Sequence, residues 1–449
     1  MQSAPLRLKI EEGSFGLKKF VLCILCFAFF SSAPSFADDT KSELVLQNWY
    51  KLILQLVRHT ATYSPPVASR SFAYLGVTAY ESVASGSDKM QSLGGQLQGL
   101  KDLPKRQIGK NYDDAVILNA AMNFAAHHYF GNTGPTGQRA MLAMQKQLSA
   151  QAEAQSPADV IKRSKEFGEA TATAIYKWSL NDAGAKITNL GFPDKYVLTA
   201  GPGHWVPTSS IRLQQTPLLP SWGKNRPFAM TTGTSCPLPP PPDYSEDKNS
   251  EFYKQAMEVY TTSKNLTPEQ KAIARFWSDD PMLSFTPPGH WISIIWQIAE
   301  HENLPTEKIV ETLARVGVAE ADAFIGCWNT KYQYDLLRPF TYIRKVIDPK
   351  WTALLITPPF PEYPSGHSTN SAAAAFVLTS MFGENYAFED TTPQADGLAP
   401  RKFASFAAAA KEAAESRLYG GIHFRAAIER GLDQGRCIGV FATALKMSK

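Results

Sequence analysis

Residues 364 to 367 read Pro-Ser-Gly-His and join a proline-rich approach to the run "STNSAAAAF", whose composition favours a helix. A hydroxyl, a glycine and an imidazole at a helix start suit a tetrahedral anion. The first N–H groups of a helix have no intrahelical acceptor and lie at the positive end of the macrodipole. Ser365 adds a donor, and Gly366 lets the backbone approach closely. His367 is then a titratable group beside the anion, suited to acid–base work. Read alone, the same tetrapeptide also suits an ordinary proline-led helix start with a serine cap.

Two further clusters bear on that choice. Lys331 and Arg338 stand seven apart, on one helix face two turns apart, and Pro339 biases Arg338 out of the helical region. Cation pairs at this spacing are commonly solvated, but Trp328, Tyr332, Tyr334 and Phe340 are aromatic company for a wet face. In "AAESRLYGGIHFRAAIERG", Ser416 and Arg417 end an alanine-rich helix, Gly420 and Gly421 break it, and His423 opens the next segment. Three cations, a hydroxyl, a helix N-terminus and two histidines describe a cage for a dianion or trianion. One imidazole would attack or coordinate, and the other would transfer protons.

At these positions the chain resembles the vanadium-dependent haloperoxidase and type 2 acid phosphatase superfamily. Lys331, Arg338 and Pro339 fit the first part of its signature, Pro364 to His367 the second, and Ser416, Arg417 and His423 the third. The resemblance covers roughly residues 270 to 430 and is similar in its details to the chloroperoxidase-like bacterial branch. It implies that Lys331, Arg338, Ser365, Gly366 and Arg417 hold the oxygens of vanadate or phosphate, with Lys331 as the polarising donor. His423 would be the axial vanadium ligand, or the nucleophile of a phosphatase, and His367 the acid–base residue.

Trp328, three before Lys331, and Phe360, five before Ser365, match the aromatic pair of the halide pocket. Asp280 resembles the acidic residue that pairs with the final arginine, with Asp279 beside it as a competitor for that place. One position departs from the pattern. The acid that often follows the last histidine by four positions is Ala427, so a phosphatase would need Glu429 or another group to orient His423. The function implied is oxidation of halide by hydrogen peroxide to hypohalous acid, with a small organic acceptor possible. The alternatives are a soluble phosphomonoesterase working through a phosphohistidine, and a noncatalytic oxyanion-binding protein. The second gives the acid–base and axial histidines no purpose.

The elements that must position these residues are helices. Segments such as "ELVLQNWYKLILQLVRHT" and "ADVIKRSKEFGEATATAIYKWS" return apolar residues every three or four positions, and sustained period-two alternation is almost absent. We expect an all-α fold of two packed helical bundles of the haloperoxidase type, residues 38–205 and 246–449. A proline-rich connection over 206–245 contains "TSCPLPPPPDY", which cannot be helical. Residues 1–37 look like an export signal: Lys18 and Lys19 precede "FVLCILCFAFF", and "SAPSFA" offers small residues for cleavage. The expected location is periplasmic or secreted.

The net charge of +4 is spread out, with no basic tract to bind nucleic acid, and no segment has the apolar length of a membrane span. Cys236, Cys327 and Cys437 allow one disulfide at most and lack metal-site spacing, and they read as structural or free thiols. His127, His128, His204, His290 and His301 read as surface or core histidines.

Overall fold

A computed structural model describes residues 36–449 except 155, 188–189 and 210–214, with side chains from residue 42 onward. The expected export segment therefore lies almost wholly outside the described residues. Residues 37–449 form one compact unit. Five helices come from the first half: α1 (Phe36–Arg58), α2 (Pro65–Ala84), α3 (Asp114–Tyr129), α4 (Pro135–Ala152) and α5 (Ala158–Ser179). The second half contributes α6 (Glu251–Lys264), α7 (Pro268–Phe276), α8 (Thr286–Glu302), α9 (Thr306–Tyr334) and α10 (Pro339–Val346). It ends with α11 (Gly366–Phe382), α12 (Phe406–Tyr419) and α13 (Arg425–Thr443). Among the described residues no helix is long and apolar enough to cross a membrane.

The two helical halves share one apolar core that runs from Val45 to Met447. Its central crossing is α2 on α9, and small residues set its closeness. A Cβ on Gly76 would stand 2.8 Å from the Leu313 carbonyl oxygen, and one on Gly317 would stand 3.1 Å from that of Phe72. A second apolar cluster contains Tyr342, Trp351, Tyr363, Leu418 and Phe424.

The proline-rich segment is not helical apart from a single 3-10 turn at Trp222–Lys224 among its described residues, and it buries Leu219, Trp222, Phe228, Met230 and Cys236 in the main core. Without partner strands its N–H groups need acceptors. Asp322 on α9 accepts from Phe228, Ala229 and Met230 at 2.7, 2.8 and 2.8 Å. Burial still pushes this carboxyl up to about 6. A disulfide joins Cys236 of the segment to Cys437 of α13, and among the described residues Cys327 is the free thiol, buried in the core. A three-residue antiparallel pair, β1 (Phe388–Asp390) with β2 (Arg401–Phe403), interrupts the helical pattern. Strands this short leave no readable alternation.

Candidate active site

Helix α9 delivers Trp328 and Lys331 on one face and stops at Asp335, whose left-handed backbone (φ 46°) ends the helix. The chain then extends through Arg338 (φ −83°, ψ 155°), the conformation that a following proline demands, and Pro339 opens α10. This turn buries Arg338 completely. Its Nε donates to the Phe360 carbonyl at 2.9 Å, and Nη1 donates to the Ile422 carbonyl at 2.9 Å and to His423 Nε2 at 3.1 Å. Nη2 has no partner. The Lys331 ammonium is fully buried, donating to the carbonyls of Pro361 (2.9 Å), Glu362 (3.1 Å) and Pro364. It lies 5.2 Å from the Phe360 ring centroid and 5.8 Å from that of Trp328.

Ser365 is the N-cap of α11, and its hydroxyl oxygen accepts from the Ser368 N–H at 3.3 Å. Gly366 and His367 form the first turn and face the same cavity as Arg417 and His423. Arg417, at the end of α12, is 2% exposed; it donates from Nη1 to the Trp277 carbonyl, while Nε is unpartnered. Burial pushes both guanidinium groups down to about 10, so each stays charged at neutral pH, and pushes the Lys331 ammonium to about 7. Buried cations with unsatisfied N–H groups are costly unless an anion meets them.

His423 Nδ1 lies 2.9 Å from Glu362 Oε1, which also accepts from the Phe424 N–H at 2.8 Å. An arginine can only donate, so the His423 Nε2 that meets Arg338 carries the lone pair, and Nδ1 carries the proton. Burial, with Arg338 and Lys331 next, holds this imidazole well below the usual histidine range. Burial raises Glu362 to about 7 against the pull of Arg338. Glu362 is the group missing at Ala427, supplied from the segment before α11. Its sequence signal is one charged residue inside the apolar, proline-rich "TPPFPEYPSG".

His367 is lowered to about 4, by burial first and then by Arg417. Its Nε2 is 3.7 Å from Asp279 Oδ2, beyond hydrogen-bond length. Asp279, placed by a left-handed backbone (φ 48°), turns Oδ1 to His290 Nδ1 at 2.9 Å, and His290 Nε2 meets Asp390 Oδ2 at 2.8 Å. Burial disfavours this charge, but the two carboxylates override it and raise His290 to about 10. Burial likewise opposes the ionised Asp279, and His290 then holds it well below the usual carboxylate range. His290 and Asp390 were not distinguishable in the sequence from packed polar residues. Asp280 acts on the charge of Arg417 without an ion pair among the described residues, while Asp279 meets the histidines. Trp328 and Phe360 are in contact, with ring centroids 4.9 Å apart.

This arrangement has known counterparts. Superposed on the crystal structure of a bacterial vanadium-dependent iodoperoxidase, the fold gives a TM-score of 0.81 at 36% identity, covering 92% of this chain and 97% of that one. The chain belongs to the vanadium-dependent haloperoxidase family. Residues 311–448 match the family described as the VCPO second helical-bundle domain, the stretch that carries the three signature clusters. A holo bacterial vanadium-dependent chloroperoxidase shares the fold of this haloperoxidase at a TM-score of 0.64 and 16% identity, over 92% of this chain and 93% of that one. The vanadium chloroperoxidase of Curvularia inaequalis is 31% identical over 136 residues, which span 25% of this chain and 22% of that enzyme.

Proposed function

We propose that the protein is a vanadate-loaded haloperoxidase that oxidises halide with hydrogen peroxide, with iodide its readiest substrate. The observation that carries this reading is the convergence of three buried cations, two of them with unpartnered N–H groups, on a histidine whose Nε2 carries the lone pair that meets Arg338 and that a ligand would take over. Those donors fit a tetrahedral oxyanion. Arg338, Arg417 and Lys331 would hold its oxygens with the Ser365 hydroxyl and the Gly366 N–H, and His423 would coordinate through Nε2. Lys331 would exchange one of its three carbonyl contacts for this role.

Bound vanadate supplies a Lewis acid that activates peroxide without changing its own oxidation state. His367, neutral at working pH because burial depresses it, takes the peroxide proton at its ring nitrogen. Asp279 Oδ2, 3.7 Å from its Nε2, would balance the imidazolium that forms. Asp280 would steady Arg417 by charge alone. Trp328 and Phe360 form a dry wall for the halide and strengthen the field of the cations. The preference for iodide rests on the 36% identical relative, which is an iodoperoxidase.

A second reading has one observation in its favour. Glu362 orients His423 as a nucleophilic histidine of a phosphomonoesterase would need, in place of the acid absent at Ala427. Orthovanadate added to metal-free protein, with peroxide and each halide in turn beside an aryl phosphate, decides between them. Iodide oxidation that depends on vanadate is expected. Brisk hydrolysis inhibited by vanadate, with no halide oxidised, would reverse the ranking. Export remains our reading of residues 1–37, and the disulfide between Cys236 and Cys437 suits an oxidising compartment. Cell fractionation tests it.

A further inference from the structure

The oxyanion residues are the floor of a cavity of about 410 Å³, and its walls offer an oxidant little to attack. Among the described residues that line it there is no cysteine and no tyrosine. Trp328 is fully buried, with its Nε1 donating to the Leu218 carbonyl at 3.1 Å, and prolines and phenylalanines recur in the rest. One lining side chain is of another kind. Met282 carries a thioether, which is soft, polarisable and readily oxidised.

Met282 lines the cavity and is also 49% exposed, so its side chain stands where the cavity opens to solvent. Among the described methionines it is the exposed one: Met144, Met257 and Met381 are half-buried, and the others are buried. Its loop is held in place. The N–H groups of Leu283 and Ser284 donate to the Asp280 carbonyl at 3.1 and 3.0 Å. Asp279, Met282 and Thr286 all have left-handed φ (48°, 71° and 67°) without being glycine, a conformation that persists where surrounding structure enforces it.

We infer that Met282 is a modification site: hypohalous acid formed at the cavity floor converts its sulfur to the sulfoxide on the way out. This rests on the haloperoxidase reading for its oxidant. One molecule of product held in the cavity is at a local concentration of about 4 M, far above any it reaches once diluted into solvent. The sulfur lone pair forms a bond to the halogen as the oxygen–halogen bond breaks and hydroxide leaves. Water then adds at sulfur and halide departs; of the two protons released, one neutralises the hydroxide and the other enters solvent. Sulfur loses the two electrons that the halogen gains, and the halide is free to be oxidised again. The modification also puts a polar group at an apolar lip, beside Leu283 and Ile356.

The test uses the vanadate-loaded protein with peroxide, a low concentration of iodide and an excess of free methionine, followed by peptide mass spectrometry. Free methionine removes hypohalous acid from solution but cannot compete with a thioether met at the cavity mouth. Met282 should gain an oxygen at least tenfold more often than the half-buried Met257 and Met381, and only when iodide is present. Iodine added from outside, under the same scavenger, should not reproduce that preference. Met282 oxidised no more than Met257 and Met381, oxidised equally without iodide, or oxidised as selectively by the added iodine would overturn the proposal. Failure to form triiodide at high iodide without scavenger would instead overturn the haloperoxidase reading. Triiodide formed while Met282 stays intact strikes this proposal alone.

Discussion

Glu362 and His423, 61 residues apart in sequence, meet through one carboxylate oxygen and Nδ1 at 2.9 Å, and the second nitrogen of the same ring meets Arg338 at 3.1 Å. An acceptor on one side and an obligate donor on the other leave the imidazole one tautomer. Glu362→Gln keeps an acceptor but loses the charge, and its amide can turn a donor toward Nδ1. We expect vanadate affinity to fall about 10- to 100-fold, the usual cost of losing a group that orients a metal ligand. His423→Ala should lose vanadate altogether. Titration calorimetry with orthovanadate checks both, and a change below threefold in Glu362→Gln would show that the carboxylate only fills space.

His367→Ala should separate binding from chemistry. Its ring neither donates to the oxyanion cage nor coordinates in our reading, so vanadate should still bind while turnover at saturating peroxide drops ~10²- to 10⁴-fold. Steady-state iodide oxidation on protein of measured vanadate content gives the answer. A loss smaller than tenfold would remove His367 from the proton transfer.

The three buried cations predict a ligand-dependent stability. Vanadate or phosphate at a hundred times its dissociation constant should stabilise the fold by about 2.7 kcal/mol. Arg417→Ala and Arg338→Ala each delete a charge-assisted hydrogen bond worth roughly 1.5 to 3 kcal/mol to the anion, so the thermal shift should shrink in both. An equal shift in parent and variants would mean that the guanidinium groups do not share one anion.

Stability should also depend on pH in two opposed limbs. His367 folds with its proton affinity lowered to about 4 against an ordinary 6.5, and His423 is lowered as well. Above 6.5 both states are neutral, but below it the unfolded chain takes protons that the folded one refuses, so stability falls as pH drops from 6.5 toward 4. His290 works in the other direction. Raised to about 10, it keeps its proton when folded, so its contribution is fully present below 6.5 and is lost as pH climbs toward 10. Each limb is bounded by about 1.4 kcal/mol per pH unit per histidine. Lys331, lowered to about 7, and Glu362, raised to about 7, add slopes of opposite sign over the same ranges, so the alkaline limb is read as a difference: in urea melts the stability lost on His290→Gln should shrink as pH rises from 6.5 toward 10. An alkaline limb unchanged in that variant would show that His290 carries no buried charge.

The site was legible in the sequence where its residues carry fixed local spacing. Lys331 with Arg338, the Ser365 to His367 turn, and Arg417 with His423 were each readable, because a helix face or a helix end fixes their direction. Glu362, His290 and Asp390 were not, since their partners lie 61, 11 and 100 positions away, and no periodicity connects them. The same holds for the disulfide, which spans 201 residues. Ala427 is instructive in another way. The absent carboxylate looked like a missing function, yet the structure recruits one from Glu362, and Ala427 serves through its backbone, accepting from the Ser365 N–H at 3.0 Å. Helical texture was legible throughout, whereas the strand pair at 388–390 and 401–403 is too short to alternate visibly.

The glycine crossing of α2 and α9 makes a lever of the longer helix. Gly317 sits at the fulcrum and Lys331 lies 14 residues along the same rod, about 21 Å at the helical rise. A tilt of about 3° at the crossing, such as a forced methyl group between the two backbones would impose, swings the far end by about 1 Å. Misplacement on that scale can cost a reacting site about a hundredfold. Two glycines with no polar atom at the site thus bear on the aim of Lys331, the lysine that we propose polarises the bound anion.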